Sequence, residues 1–255
     1  MGKIINIENI PCYEPVEINN NVKGGLIVIH EVWGLTDHIK DVADRFAEQG
    51  YYVLAPNLLD QTEIEKIATP EFQKSLFDPE KRNAIQPKLR EMMAPLKLPE
   101  FAEQTNAKVE KIFEYLYQID TLNKKVAVNG FCFGGTYSYN LAVSEPRLKA
   151  AVPFYGHSDQ SVEELKHIKC PILAFYGETD ESLVSHLDDL KSRMKEANVS
   201  YQSYVYPDCG HAFFNDSNPF AYNQVAANDA WQKTTQSAPQ KKSTTRTSII
   251  WYCSG

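Results

Sequence analysis

The segment Gly130-Phe131-Cys132-Phe133-Gly134-Gly135 constrains the fold more than any other part of the chain. A Gly-x-nucleophile-x-Gly run is a sharp turn that joins a strand to a helix, and it needs both neighbours. Both are predicted here. Lys125-Val126-Ala127-Val128-Asn129 is short and rich in β-branched residues, and Thr136 to Val143 reads as a helix. A side chain at Gly130 or Gly134 would block the turn or hold the helix off the strand. The turn lifts the residue at its apex, Cys132, clear of the sheet. Free cysteine is usually a buried core residue, but the strand–turn–helix setting makes Cys132 a candidate nucleophile.

The rest of the chain supplies a sheet for this turn. Gly25-Leu26-Ile27-Val28-Ile29-His30, Tyr51-Tyr52-Val53-Leu54-Ala55, Ala150-Ala151-Val152-Pro153-Phe154 and Pro171-Ile172-Leu173-Ala174-Phe175 are apolar runs of strand length. Tyr201 to Tyr206 alternates as a strand. Between them run helical stripes. One is Ile39, Val42, Ala43, Phe46 and Ala47, opened by Thr36 or Asp37 and stopped by Gly50. Another is Val109, Ile112, Phe113 and Leu116, and Leu183 to Ala197 is a third helix. Strands that are apolar throughout, separated by amphipathic helices, predict an α/β fold with a mostly parallel central sheet and helices on both faces. At 255 residues one domain is expected over 1–233. Residues 58–99 lack a strand pattern and read as a helical insertion, either a lid or pocket wall or a solvated crossover. Residues 234–255 read as a polar tail, loosely packed or disordered.

Composition removes several partners. A net charge of −7 argues against nucleic acid, whose phosphates need basic patches. No apolar run approaches the about 20 residues that a membrane span requires, and the N-terminus lacks a signal-peptide core. The five cysteines, Cys12, Cys132, Cys170, Cys209 and Cys253, form no Cys-x-x-Cys and no even framework. Neither a disulfide scaffold nor a metal site is expected, and a reducing cytoplasm suits the chain.

A thiol nucleophile needs a base, and the base needs an orienting acid. Gly177-Glu178-Thr179-Asp180 ends a predicted strand, and Gly210-His211-Ala212-Phe213 follows the last one. Asp180 and His211 complete the order nucleophile, acid, base that α/β-hydrolases show. Glu178 is a rival acid, two residues nearer the strand and therefore aimed elsewhere; Asp208 is a weaker one. His30-Glu31-Val32-Trp33-Gly34 closes an early strand, where such a loop supplies an oxyanion-hole N–H. The backbone N–H groups of Val32 and Phe133 are the expected donors. Glu31 is either a solvated loop acid or a carboxylate beside the thiol.

Together Glu31-Val32-Trp33-Gly34, the Cys132 turn, the Asp180 loop, the His211 loop and Ala226 to Trp231 resemble the dienelactone hydrolase family, over about Gly24 to Trp231. The resemblance implies a Cys132–His211–Asp180 triad that hydrolyses enol-lactones or small esters through an acyl-thiolate, with no cofactor. It also implies that Glu31 contacts the resting thiol and takes part in thiolate formation when substrate enters. The chain departs from the family at the substrate carboxylate. An arginine is expected shortly after the triad histidine, but here His211 is followed by Ala212-Phe213-Phe214-Asn215-Asp216-Ser217. Lys81, Arg82 and Arg90 of the insertion are the alternatives, with Arg82 as the candidate. Trp33, Phe131, Phe133, Phe213 and Phe214 suggest an apolar pocket. The expected partner is a small ester or lactone, and the expected state is a monomer or homodimer. A broad carboxylesterase or thioesterase, or a non-catalytic ligand-binding or redox-sensing relative, are the competing readings.

Overall fold

The computed structural model describes residues 2–19, 21–77 and 79–235, without the side chains of 77, 79, 82 and 83. Eight strands form one sheet in the order β1-β2-β4-β3-β5-β6-β7-β8. The predicted strands are β3 (Gly25–Ile29), β4 (Tyr52–Pro56), β5 (Val126–Phe131), β6 (Ala151–Phe154), β7 (Ile172–Gly177) and β8 (Tyr201–Tyr206). Neighbours among these six run parallel. The fold is that of an α/β-hydrolase, with a mostly parallel sheet and helices on both faces.

The remaining strands, β1 (Lys3–Ile7) and β2 (Ile10–Glu14), form an antiparallel hairpin that joins β4 at Cys12↔Pro56 and Tyr13↔Ala55. Its two-residue turn, Glu8-Asn9, has φ of 49° and 66°. Both central residues are left-handed, as the turn that best matches strand twist demands, and asparagine tolerates this better than most residues.

Two apolar layers sandwich the sheet. On one face lie α1 (Asp37–Glu48), through Ile39, Val42, Ala43 and Phe46, and α10 (Gln224–Thr235), through Ala226, Ala227 and Ala230. Trp231 seals their edge: its ring is 4.6 Å from that of Phe46, and the Arg45 guanidinium lies 4.1 Å over it. On the other face lie α5 (Pro99–Gln118), α6 (Phe133–Ser144) and α9 (Leu187–Glu196). Of the polar tail expected over 234–255, two residues are described. Thr234 and Thr235 continue α10, with Thr234 fully buried, and 236–255 lie outside the described residues.

Residues 58–99 hold no strand among the described residues. They form α2 (Glu63–Ile67), α3 (Pro70–Phe77), α4 (Pro79–Met93) and a 3-10 turn at Ala94–Lys97 before α5. Leu58, Leu59, Ile64 and Met92 anchor them on the core. The helix predicted over Leu183 to Ala197 is interrupted instead: α8 (Glu181–Val184) ends before Ser185-His186, and α9 then begins. The stripe Leu183, Leu187, Leu190 and Met194 keeps helical spacing across the break, so periodicity alone does not reveal it. A short helix, α7 (Val162–Leu165), is capped reciprocally by Ser161 and Glu164.

Strand order decides where a site can form. From β3 the chain passes to β4 on one side and then crosses to β5 on the other. The gap beyond the carboxyl ends of β3 and β5 is therefore the switch point at which open α/β sheets bind ligands. The Glu31 loop leaves β3 and the Cys132 turn leaves β5, so both open onto that crevice.

Candidate active site

At the apex of the turn Cys132 has φ 54° and ψ −111°, outside the regions that L-residues favour. Close packing holds it there. A Cβ at Gly130 would stand 2.0 Å from the Gly134 carbonyl oxygen, so only glycine lets α6 start this close to β5. The Cys132 N–H donates to Phe154 O (3.0 Å) and the Gly134 N–H to His30 O (3.1 Å), which ties the turn to β6 and to the end of β3. The half-buried thiol faces a cavity of about 730 Å³.

His211 lines the same cavity, and its Nδ1 is 2.5 Å from Asp180 Oδ2. Ser182 Oγ donates to the other carboxylate oxygen of Asp180 at 2.8 Å. Cys132 lines the same cavity and interacts electrostatically with His211. The imidazole ring is thus held by a carboxylate at Nδ1. The His211 side chain keeps 43% of its accessible surface, yet enough protein surrounds it for burial to oppose its charge. The sulfur of Cys132 and the carboxylate of Asp180 outweigh that, and its pKa stands well above the ordinary histidine value. Burial likewise pushes the Asp180 carboxyl up, but the hydrogen bond and charge of His211, with Ser182, bring it below the usual carboxylate range. Of the rival acids, Glu178 accepts from the backbone N–H of Asp208 at 3.1 Å, and the carboxylate on His211 Nδ1 is that of Asp180.

Val32 and Phe133 both wall the cavity. Phe133 is the first residue of α6, so its N–H has no intrahelical acceptor. Among the described residues, neither this N–H nor that of Val32 finds a protein acceptor. Two free backbone donors beside a thiol can hold a developing oxyanion. His30 braces their loop. It is fully buried; its Nε2 accepts from the Leu58 N–H (3.0 Å), so its Nδ1 carries the proton and donates to Glu31 O (2.5 Å). Burial depresses its pKa to about 4 and keeps the ring neutral.

Glu31 is buried, at 3% exposure. Its Oε1 accepts from Tyr155 OH (3.2 Å) and its Oε2 from Asn215 Nδ2 (2.6 Å). The aromatic expectations divide. Phe133 is a cavity wall, but Phe131 and Phe213 are not. Along β5 alternate residues face opposite layers, which puts Phe131 with Ala127 in the α1/α10 layer against Phe154 and Phe214. At Ala212 (φ 63°) the chain turns Phe213 into the same layer. Trp33 packs half-buried against the opposite core layer and is not a wall. Arg82 lies in α4, and its side chain is outside the described set.

Sequence reasoning missed most of the walls. The insertion contributes Met93, Leu96 and Lys97, and α6 contributes Thr136, Tyr137 and Asn140. The loop after β6 adds Tyr155, His157, Asp159 and Gln160. That last loop was findable, because it follows the carboxyl end of a strand beside the switch point. Among the described residues no three His, Cys, Asp or Glu side chains converge as a metal would require, and none of the helices is long and apolar enough to cross a membrane.

The fold and the groups at its switch point define a hydrolase of the α/β-hydrolase class. The family model of the dienelactone hydrolase family matches residues 14–240. A protein of Saccharolobus solfataricus named "Putative carboxymethylenebutenolidase" is 34% identical over 230 residues, covering 84% of this chain and 88% of its own. One of Escherichia coli with the same name is 30% identical over 218 residues, covering 82% and 73%. A crystal structure described as "Putative Dienelactone Hydrolase" from Klebsiella pneumoniae superposes with a TM-score of 0.74 at 25% identity, covering 91% of this chain and 95% of that one. The chain belongs to the dienelactone hydrolase family.

Proposed function

We propose that this enzyme hydrolyses small carboxylic esters or lactones through a Cys132–His211–Asp180 triad and an acyl-thiolate intermediate. The observation that carries this is the elbow thiol and an Asp180-bound His211 lining one cavity. In the first half-reaction the thiol proton passes to His211, and sulfur attacks the carbonyl carbon. The Val32 and Phe133 N–H groups hold the oxyanion. Collapse breaks the carbon–oxygen bond, and the alkoxide or enolate leaves with the proton from His211. In the second, His211 takes a proton from water as it attacks the thioester, and the acid departs as the thiolate re-forms.

The walls favour substrates without a carboxylate. No arginine follows His211 closely, where the family resemblance calls for one, and Lys97 is the one Lys or Arg among the described lining residues. Met93, Leu96, Ala102, Phe133 and Tyr137 offer an apolar side to the acyl or alcohol group. This supports a broad ester or thioester hydrolase over one restricted to anionic lactones. Comparing kcat/KM for neutral esters, thioesters and carboxylate-bearing lactones separates the two. For the chemistry itself, an acyl adduct on Cys132 is expected by mass spectrometry after rapid acid quench, and Cys132→Ala abolishes turnover. Full activity in that variant defeats the proposal.

A further inference from the structure

Beside the break between α8 and α9 lies a second cavity, of about 740 Å³. His186, Leu187, Leu190 and Arg193 line it from the helix side, and Ser158 and Glu164 from the segment after β6. Its size is that of a small-molecule site. His157, Asp159, Gln160, Ser182 and Leu183 line both this cavity and the one that holds Cys132, so the two meet along a shared wall.

That wall is braced. Arg193 donates from Nε to Asp189 Oδ2 (2.8 Å), from one amino group to Ser158 O (3.0 Å) and from the other to Gln160 O. The Gln160 side chain accepts from Ser158 Oγ and donates to Asn140 Oδ1 of α6 (2.6 Å). His157 and Asp159 are the wall groups placed to meet a ligand. The His157 backbone N–H donates to Thr136 Oγ1 (3.3 Å), and the same oxygen lies 3.0 Å from the ring Nδ1. With the hydroxyl proton directed at Nδ1, the ring proton sits on Nε2. Nε2 stands 3.5 Å from Asp159 Oδ2, beyond the usual range of a direct hydrogen bond. A ligand hydroxyl can bridge them, because it accepts from the ring N–H and donates to the carboxylate. The direction of the substrate follows from His211. A leaving alcohol takes its proton there, so it lies on the His211 side of the carbonyl. On that side Ser182, bonded to Asp180, and Leu183 lead from one cavity to the other.

We propose that the second cavity is a leaving-group subsite, and that the ester this enzyme takes has an uncharged, hydroxyl-bearing alcohol part read by His157 and Asp159. The acyl part then lies against Met93, Leu96 and Phe133. The proposal rests on the ester-hydrolase reading above. An anionic alcohol meets no free Lys or Arg among the described residues of this cavity, because the Arg193 guanidinium is engaged by the loop. A cationic alcohol offers no acceptor to the His157 N–H.

The test compares kcat/KM for ethyl butyrate, glycerol 1-butyrate, glucose 6-butyrate and butyrylcholine. In the wild type the glucose ester is expected to exceed ethyl butyrate by about tenfold or more, with the glycerol ester between them. Asp159→Ala alters an exposed side chain and is expected to cut that ratio by about fivefold. His186→Trp fills the second cavity from a position that does not line the first. It is expected to lower the glucose ester by about tenfold while ethyl butyrate stays within about twofold. A wild-type ratio near one overturns the proposal. So does butyrylcholine outpacing the glucose ester, which would make the subsite a cation site, and so does a His186→Trp loss equal on both esters. If His186→Trp does not fold, Asp159→Ala decides: a reduced ratio supports the proposal and an unchanged one refutes it. Turnover of ethyl butyrate without the preference sinks this inference and keeps the hydrolytic reading; no turnover of any ester sinks both.

Discussion

Gly134 is the position at which one added methyl tests the geometry of the whole site. Its Cβ would stand 2.3 Å from Ile29 O and 2.8 Å from His30 O. Both are backbone atoms at the end of β3, so no side chain can turn aside to make room. Ordinary contact begins near 3.4 Å, so α6 and β3 must part by about an ångström. That separation strains the Gly134 N–H to His30 O bond of 3.1 Å, and it moves the Phe133 N–H, one residue earlier, relative to that of Val32. Overpacking of this kind costs about 1–3 kcal/mol, while a misplacement of about 1 Å in a reacting constellation costs roughly a hundredfold in rate. Gly134→Ala is therefore expected to lower the urea midpoint by an amount equivalent to about 1–3 kcal/mol. It is also expected to lower kcat by about 100-fold, with KM changed far less. The two measurements separate a spoiled site from an unfolded one, because the kcat loss is read well below the unfolding transition. A variant with near wild-type kcat refutes the claim that close packing of α6 on β3 sets the oxyanion donors. A variant whose activity falls only in proportion to its folded fraction refutes it equally.

Two further predictions follow from titratable groups. Asp180→Asn keeps the size of the side chain at His211 but loses the charge, and should lower kcat/KM by about 10²–10⁴ with little change in KM. Its stability signature has a defined sign. Asp180 has a folded pKa below its unfolded value, so its contribution is present above about pH 4 and fades as pH falls through the folded value. The stability gap between wild type and Asp180→Asn should therefore narrow in acid. His211, raised in the folded state, contributes below its unfolded value of about 6.5, and that contribution is lost as pH rises through the folded pKa. His30 behaves in the opposite sense because burial depresses it to about 4. The unfolded chain takes up a proton near pH 6.5 that the folded one refuses, so stability drops on acidification by about 2 kcal/mol between pH 7 and pH 5. Urea unfolding at those two pH values should show that loss in the wild type and its removal in His30→Gln. Equal slopes would refute a buried neutral His30.

Cys132, Asp180 and His211 were legible because each sits in a short local pattern: a glycine-flanked turn, and acid or histidine loops just past a strand. Their meeting depends only on strand order, which the alternation of apolar runs and helices already implies. The hairpin of β1 and β2 was not legible in that way. Its strands are edge segments with alternating exposure, and its signal is a single left-handed Glu8-Asn9 pair. Phe131 and Phe213 show a different limit. Adjacency in sequence to a nucleophile or a base says nothing about side, since along β5 consecutive side chains point to opposite layers. The alternation from Ala127 to Phe131 would have placed Phe131 away from the cavity had it been counted from the core outward.

Asn215 marks where sequence reasoning stops for a physical reason. The tetrapeptide after His211 announces a missing arginine, and so a doubtful anionic substrate. It does not announce that the Asn215 amide reaches back 184 positions to Glu31. That bond exists only because the β8–α10 loop folds over the end of β3, a contact with no local signature. Yet it changes the electrostatics of the turn. The neutral amide brings Glu31 a hydrogen bond without a charge. Under the proposed triad, His211 held at Nδ1 by Asp180 is the base for Cys132, so Asp180→Asn should weaken alkylation of the resting thiol as well as turnover.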